Sequence, residues 1–307
     1  MNMIKDKSLT NFQEILNQAK EYGRRKIVVA GAHNEQVIEA IHSAEKQGLV
    51  EPLLVGDDNK IKTILHKKQI STDAWPIYHA DNDQDVASQA VELVLERGGQ
   101  ILMKGEISTP VLLKTVLAPQ YRLRMDTLLS HIALMQIPTY SKLLMITDSG
   151  MVIRPDLDQK IKIIKNALDV FKKMRNETPR ISILSANEKI SEKLPETVDA
   201  VQLVELAKSG EFGQVVLEGP YALDVAFSTY AAEIKNIQSR VNGEPDMLLM
   251  PDVTCGNILA KGLVYLANAK ICGLVVGAKI PIIIISRAEY AETWLNSIAF
   301  SSVLCEK

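Results

Sequence analysis

Four isoleucines, Ile282 to Ile285, run straight into Ser286-Arg287, and the stretch from about Ala288 to Val303 reads as a helix that begins at once. Backbone N–H groups at a helix N-terminus attract anions, and a guanidinium beside them can grip a phosphate through two parallel hydrogen bonds. A serine hydroxyl there can donate to a phosphate or to a developing oxyanion. The plainer alternative makes Ser286 a helix cap and Arg287 a surface charge. Three other segments place polar residues after an apolar run. Met250–Asn257 (MPDVTCGN) offers Asp252, Thr254 and Asn257, with Asn257 able to cap a helix from about 257 to 267. In Glu218–Asp224 (EGPYALD), Gly219-Pro220 reads as a turn and Asp224 falls in the first turn of the next helix, where a carboxylate suits the helix dipole. In Met103–Lys114 (MKGEISTPVLLK), Thr109 is the expected cap and Pro110 the first helical residue, with Ser108 beside them. Lys104 and Lys114 add positive charge, which suits an anionic ligand such as a nucleotide phosphate. A plain capped helix with solvated lysines is the competing explanation.

What could hold these segments together is a repeated rhythm of short apolar run, turn and amphipathic stretch. Lys26–Ala30 (KIVVA), Pro52–Val55, Pro76–His79 and Ile101–Met103 read as buried strands. Between them lie helices from Asn34 to Gly48, about 57 to 67, and about 83 to 97. The second half continues with strands at 143–147, 181–184, 215–217, 247–250, 274–276 and 282–285, and a long amphipathic helix at 158–173. Such alternation predicts an α/β fold with mainly parallel sheets, whose ligands bind at the C-terminal ends of the strands. The four polar segments all fall at such ends.

Composition narrows the function. At 307 residues the chain is long enough for about two domains and for a core that needs no disulfide or metal. A net charge of -2 argues against a generally basic nucleic-acid binder. Three cysteines without CxxC spacing disfavour a disulfide framework or a four-cysteine zinc site, and fit a reducing cytoplasm. No secretory h-region is visible at the N-terminus. The most apolar stretch, Ile271–Ile285, is interrupted by Lys279 and Pro281, so it reads as two strands and a turn, not a membrane span. A GxxxxGK[ST] loop, a GxGxxG fingerprint and a GxSxG elbow are all missing, with Gly31-Ala32-His33 standing after the first strand. The five histidines lack metal-ligand spacing and are expected to be structural or exposed.

In order and spacing, KIVVAGAHNEQVIEAI, EPLLVGD, MKGEISTPVLLK, ITDSGMVIRPDLDQKIKIIKNA, EGPYALDVA, PDVTCGN and VVGAKIPIIIISRAEYAETWLNSIA together resemble the phosphate acetyl/butyryl transferase family, most of all its butyryl branch. The resemblance implies two α/β/α domains around a cleft, related to the isocitrate and isopropylmalate dehydrogenases. Residues 1–124 plus 278–307 would form the first domain and 125–277 the second, with the active site in the cleft. It further implies reversible acyl transfer between coenzyme A and phosphate, with butanoyl as the acyl group, no tightly bound cofactor, no metal, and a homo-oligomer of two or more copies. By the same resemblance Arg287 holds the phosphoryl group and Ser286 the carbonyl oxygen or phosphate. Asp252, Asn257 and Asp224 line the phosphate and acyl site, and Lys104, Ser108, Thr109 and Lys114 bind coenzyme A. Lys114 stands where acetyltransferase relatives carry an arginine, which keeps the charge and loses the fork. Thr293 stands where they carry an aspartate proposed to deprotonate the thiol; here either the neighbouring Glu292 is the base or no single carboxylate is. Acetyl and branched acyl groups stay open, as do a dehydrogenase of related fold and a non-catalytic acyl-coenzyme A sensor.

Overall fold

A computed structural model describes residues 8–175, 177–285 and 289–305. In chain order its first elements are α1 (Phe12–Tyr22), β1 (Arg25–Ala30), α2 (Glu35–Lys46), β2 (Val50–Gly56), α3 (Asp58–Lys67) and β3 (Ile77–His79). Next come α4 (Asp83–Glu96), β4 (Ile101–Lys104), α5 (Thr109–Val116), β5 (Ser130–Gln136), β6 (Leu144–Thr147), α6 (Leu157–Met174) and β7 (Arg180–Leu184). The chain continues through α7 (Pro195–Lys208), β8 (Val216–Tyr221), α8 (Leu223–Phe227), α9 (Thr229–Ile234), β9 (Met247–Leu249) and α10 (Val253–Ala267). It ends with β10 (Lys270–Val276), β11 (Ile282–Ile283) and α11 (Ala291–Leu304). The fold divides into two compact units. Phe12–Thr127 with the chain from Cys272 onward forms a split unit, and Leu128–Ile271 with the segment up to Asn11 forms an inserted one.

In the split unit the strand order is β3-β2-β1-β4-β11-β10. Its strands run parallel except β10, which pairs antiparallel with β11 through Val275 and Ile282. Those two strands account for the apolar run that the sequence leaves short of a membrane span, and no helix among the described residues is long and apolar enough to cross one. β4 is buried at all four positions, as a strand covered on both faces must be. Asn34 starts α2 by accepting from the N–H groups of Gln36 and Val37, and Val37, Ile38, Ile41 and Ala44 then fall on the buried face. α2 and α1 pack on α11, and α4 packs on α5, β1 and β2.

In the inserted unit the order is β5-β6-β9-β7-β8. β6, β9, β7 and β8 are parallel, and β5 runs antiparallel to β6. β5 has no counterpart in the sequence reading. Its SHIALMQ is buried at five of seven positions, so the period-2 signal of a half-exposed strand is missing. A second difference concerns Gly219-Pro220, which lies inside β8 and not in a turn, with its peptide bond cis. β8 ends this unit's strand order, where a residue without an N–H leaves no ladder bond unmade. Asp156 and Gln159 form a capping box at the start of α6, whose Ile163, Ile164, Ala167, Val170 and Phe171 are buried.

Candidate functional site

The split unit brings the loops after β1 and β4 into close contact. Gly105 N donates to Ala30 O at 2.8 Å, and Glu106 N to Gly31 O at 2.7 Å. A Cβ on Gly105 would stand 2.2 Å from Gly31 O, and one on Gly31, whose φ is +78°, would stand 2.5 Å from Glu106 O. Only glycine lets these two turns approach so closely. The Asn34 side-chain amide donates to Glu106 Oε2 at 3.2 Å and ties the start of α2 to the same turn. Lys104 closes β4 at this edge. It is 8% exposed, and its ammonium donates to Gly105 O at 3.2 Å. β11 runs parallel to β4 with Ile283 opposite Met103, so the chain through Ile285 leaves β11 at the edge that carries Lys104. Ser286 and Arg287, which follow, lie outside the described residues.

Three expectations about this unit change. α5 begins at Thr109 with Ser108 in the cap position, one residue earlier than expected. The Ser108 N–H is taken by Asp83 Oδ2 at 2.9 Å, so it is held outside the helix. Lys114 is exposed in the last turn of α5 and so does not add charge near that helix's N-terminus. Five residues beyond Thr109, it sits roughly 7.5 Å along the axis from it. Finally, α11 does not begin at once after Arg287. Tyr290 is extended (φ −72°, ψ 154°), and the first helical residue is Ala291. Glu292 is exposed in the first turn of α11, and Thr293 beside it is buried.

The inserted unit has its own cluster at the C-terminal ends of its parallel strands. β5 and β6 pair with Ala133 opposite Ile146, so continuing the register sets His131 opposite Asp148. Asp148 is 2% exposed, and its carboxylate accepts from four backbone N–H groups. These belong to His131 (3.0 Å), Gly150 (2.7 Å), Met151 (2.7 Å) and Val152 (3.2 Å). His131 Nδ1 shares a 2.8 Å hydrogen bond with Ser149 Oγ. Burial lowers the His131 pKa, with the nearby Asp148 charge opposing, so the ring is neutral at ordinary pH. Local sequence does not mark Thr147-Asp148-Ser149-Gly150 as a site, although it follows a strand as the other four polar segments do, because the register that gives it His131 is not visible locally.

Asp252 follows β9 and starts α10, accepting from Cys255 N at 2.9 Å. The helix therefore begins four residues before the expected cap, because the carboxylate of Asp252 meets the orphan donor at N3. Asn257 lies inside the helix, its amide 3.5 Å from Ser149 O. Gly256 is what allows the two loops to meet, since a Cβ there would stand 2.5 Å from Asp148 O. Asp252 and Asn257 thus share one loop junction with Asp148 and Ser149. Asp224 does not join it. It is an exposed residue of α8, paired with Lys235 at 3.0 Å, and that hydrogen-bonded ammonium holds its carboxyl below the usual range. β7 separates β8 from β9, which puts the exits of those two strands roughly 10 Å apart. Burial and then the Asp252 carboxylate push the Cys255 thiol up, which makes it a poor nucleophile at neutral pH. Among the described residues no group of His, Cys, Asp and Glu could hold a metal ion.

A family model described as Phosphate acetyl/butaryl transferase matches residues 11–123 and 102–302. The phosphate butyryltransferase of Clostridium acetobutylicum is 34% identical over 296 residues, which cover 96% of this chain and 98% of that protein. The phosphate acetyltransferase of Thermotoga maritima is 35% identical, over 95% of this chain and 98% of its own. Among solved structures, a branched-chain phosphotransacylase from Enterococcus faecalis V583 superposes with a TM-score of 0.80 at 29% identity, covering 92% of this chain and all of that one.

Proposed function

Because this chain belongs to the phosphate acetyl/butaryl transferase family, we propose that it is a phosphate acyltransferase catalysing butanoyl-CoA + phosphate = butanoyl phosphate + CoA. The observation that carries this reading is the similarity along nearly the full length of a butyryltransferase. A phosphate oxygen attacks the thioester carbonyl, the C–S bond breaks, and the coenzyme A sulfur leaves as the acyl phosphate forms. Holding both substrates in one ternary complex supplies much of the rate, and no acyl-enzyme is needed. The raised Cys255 pKa fits a transfer without a covalent cysteine intermediate.

In this reading Arg287 grips the phosphate and Ser286 donates to the carbonyl oxygen as negative charge gathers on it. Lys104, at the edge to which β11 leads, adds positive charge for the phosphates of coenzyme A, with Ser108, Thr109 and Lys114 as further coenzyme A contacts. Asp252 and Asn257, which share one loop junction, serve the phosphate and acyl groups. Glu292 takes the thiol proton when acyl-coenzyme A is made and returns it in the other direction. A thiol with a pKa near about 8.5 is only a few per cent thiolate at neutral pH, so such a base contributes roughly 10²-fold or more.

The acyl chain is the second question, since relatives named for acetyl and for branched-chain substrates match comparably well. Thiol release from a series running from acetyl- to isovaleryl-coenzyme A, with phosphate present, is expected to be fastest at four carbons. Faster release from acetyl-coenzyme A would reassign the acyl group, and no release from any member would remove the activity. In the same assay Arg287→Ala is expected to raise the phosphate KM and lower kcat/KM by roughly 10- to 100-fold, the worth of a charge-assisted contact. Glu292→Gln is expected to lower kcat about 100-fold. A variant with wild-type kinetics takes its residue out of the site.

A further inference from the structure

His131 is held at every point but one. Its backbone N–H donates to Asp148 Oδ2 at 3.0 Å, and its carbonyl accepts from Thr147 Oγ1 at 3.0 Å. The ring lies against Gly150, where a Cβ would stand 3.0 Å from His131 Cγ. Nδ1 is 2.8 Å from Ser149 Oγ. Nε2 has no partner among the described residues and is not sealed from solvent. These contacts set the tautomer. Ser149 is 3% exposed, and among the described residues its hydroxyl has no acceptor but Nδ1. A buried O–H left undonated is costly, so Ser149 donates and Nδ1 accepts. A neutral imidazole that accepts at Nδ1 carries its proton on Nε2. Burial keeps the ring neutral at ordinary pH, with Asp148 opposing. The open end of the ring is therefore an uncharged N–H donor, oriented before any ligand arrives. Such a group is an electrophile and not a base.

What this donor meets follows from its surroundings. Ser149 O faces the Asn257 amide, and Gly256 lets α10 approach Asp148, so His131 belongs to the junction that holds Asp252 and Asn257. The charge beside the ring is the Asp148 carboxylate, which takes only backbone N–H groups and no lysine or arginine among the described residues. A phosphate dianion gains little next to it. The carbonyl oxygen of an acyl thioester is neutral and accepts from an uncharged N–H without that penalty. Four N–H groups already offset the Asp148 charge, so negative charge growing on the same oxygen is tolerated. The transfer proposed above gives this oxygen one donor, Ser286, whereas a carbonyl oxygen has two lone pairs.

We propose that His131 donates from Nε2 to the thioester carbonyl oxygen, an inference that rests on the acyltransferase reading. As the phosphate oxygen attacks, this bond strengthens on the tetrahedral oxyanion. It weakens again when the C–S bond breaks, and the proton stays on Nε2 throughout. His131→Asn keeps a polar atom near Nδ1 for Ser149 and removes the donor. In the thiol-release assay it is expected to lower kcat with butanoyl-CoA roughly 100-fold, with the phosphate KM within about 3-fold of wild type. His131→Gln, whose amide nitrogen reaches the Nε2 position, is expected to recover about 10-fold of that loss. A residue that only held the loop would not separate kcat from KM in this way. ¹⁵N NMR of the labelled wild-type chain at neutral pH is expected to show the proton on Nε2. Its signal should shift when butanoyl-CoA is added without phosphate. An active wild type whose His131→Asn variant keeps its kcat overturns this proposal alone. A wild type that releases no thiol overturns the acyltransferase reading and this proposal with it. Should His131→Asn fail to fold, a proton found on Nδ1 in the wild-type spectrum overturns the proposal instead.

Discussion

Asp148→Ala is expected to destabilise the protein by about 3–5 kcal/mol and to lower its unfolding midpoint by about 10 °C. The carboxylate is 2% exposed and satisfies the N–H groups of His131, Gly150, Met151 and Val152. Removing it leaves four donors facing a cavity, each costing roughly 1–3 kcal/mol unless water enters or the loop relaxes. Relaxation is why the expected total falls below the sum. Asp148→Asn keeps the shape and one acceptor oxygen but turns an amide toward N–H donors, so its loss should be smaller. The backbone of Asp148 and Ser149 also supports Gly256 and Asn257, so thiol release should fall further than the folded fraction does. Thermal unfolding checks the first effect, and the acyl-coenzyme A assay below the midpoint checks the second. A midpoint within 2 °C of wild type (about 1 kcal/mol or less) would mean that these hydrogen bonds do not hold the loop.

Asp246→Ala should cost a similar amount for a different reason. Asp246 is 5% exposed, and its Oδ1 lies 2.7 Å from Lys142 Nζ and 3.1 Å from Arg175 Nη1. Its Oδ2 accepts from Arg180 N at 2.8 Å. Arg175 is itself buried and donates from Nε to Leu9 O, which fastens the N-terminal segment to the end of α6. An intact buried pair offsets its own desolvation, whereas a lone buried guanidinium does not, and breaking one side typically costs about 3–5 kcal/mol. Replacing Asp246 and Arg175 together by apolar residues should therefore be milder than Asp246→Ala alone. A double-mutant cycle on chemical denaturation measures this, and additive losses would show that the two residues are not coupled.

Much of the architecture was readable from local chemistry. KIVVA and the apolar runs after it became strands, and Asn34 capped α2 where the sequence placed it. Strand burial and helix capping depend on neighbouring residues, so they leave a mark in a short window. The order of the motifs along the chain was enough to indicate the family. Cap positions differ from expectation by one residue at Ser108 and by five at Asp252, because several nearby residues can supply a cap and only the surroundings choose. At Ser108 the choice was made by Asp83, twenty-five residues away.

By itself, then, the sequence determined the α/β alternation, the chemistry available at the strand ends and the family. Those properties are set by residue type and by spacing of a few positions. Tertiary structure decided which strand ends meet. Pairing of β5 with β6 brings His131 to Asp148 and Ser149, packing of α10 on that loop explains Gly256, and crossing of two turns explains Gly31 and Gly105. It also separated Asp224 from Asp252 and put Lys114 at the far end of its helix. Contacts between residues tens or hundreds of positions apart depend on strand order and register, which no local pattern encodes.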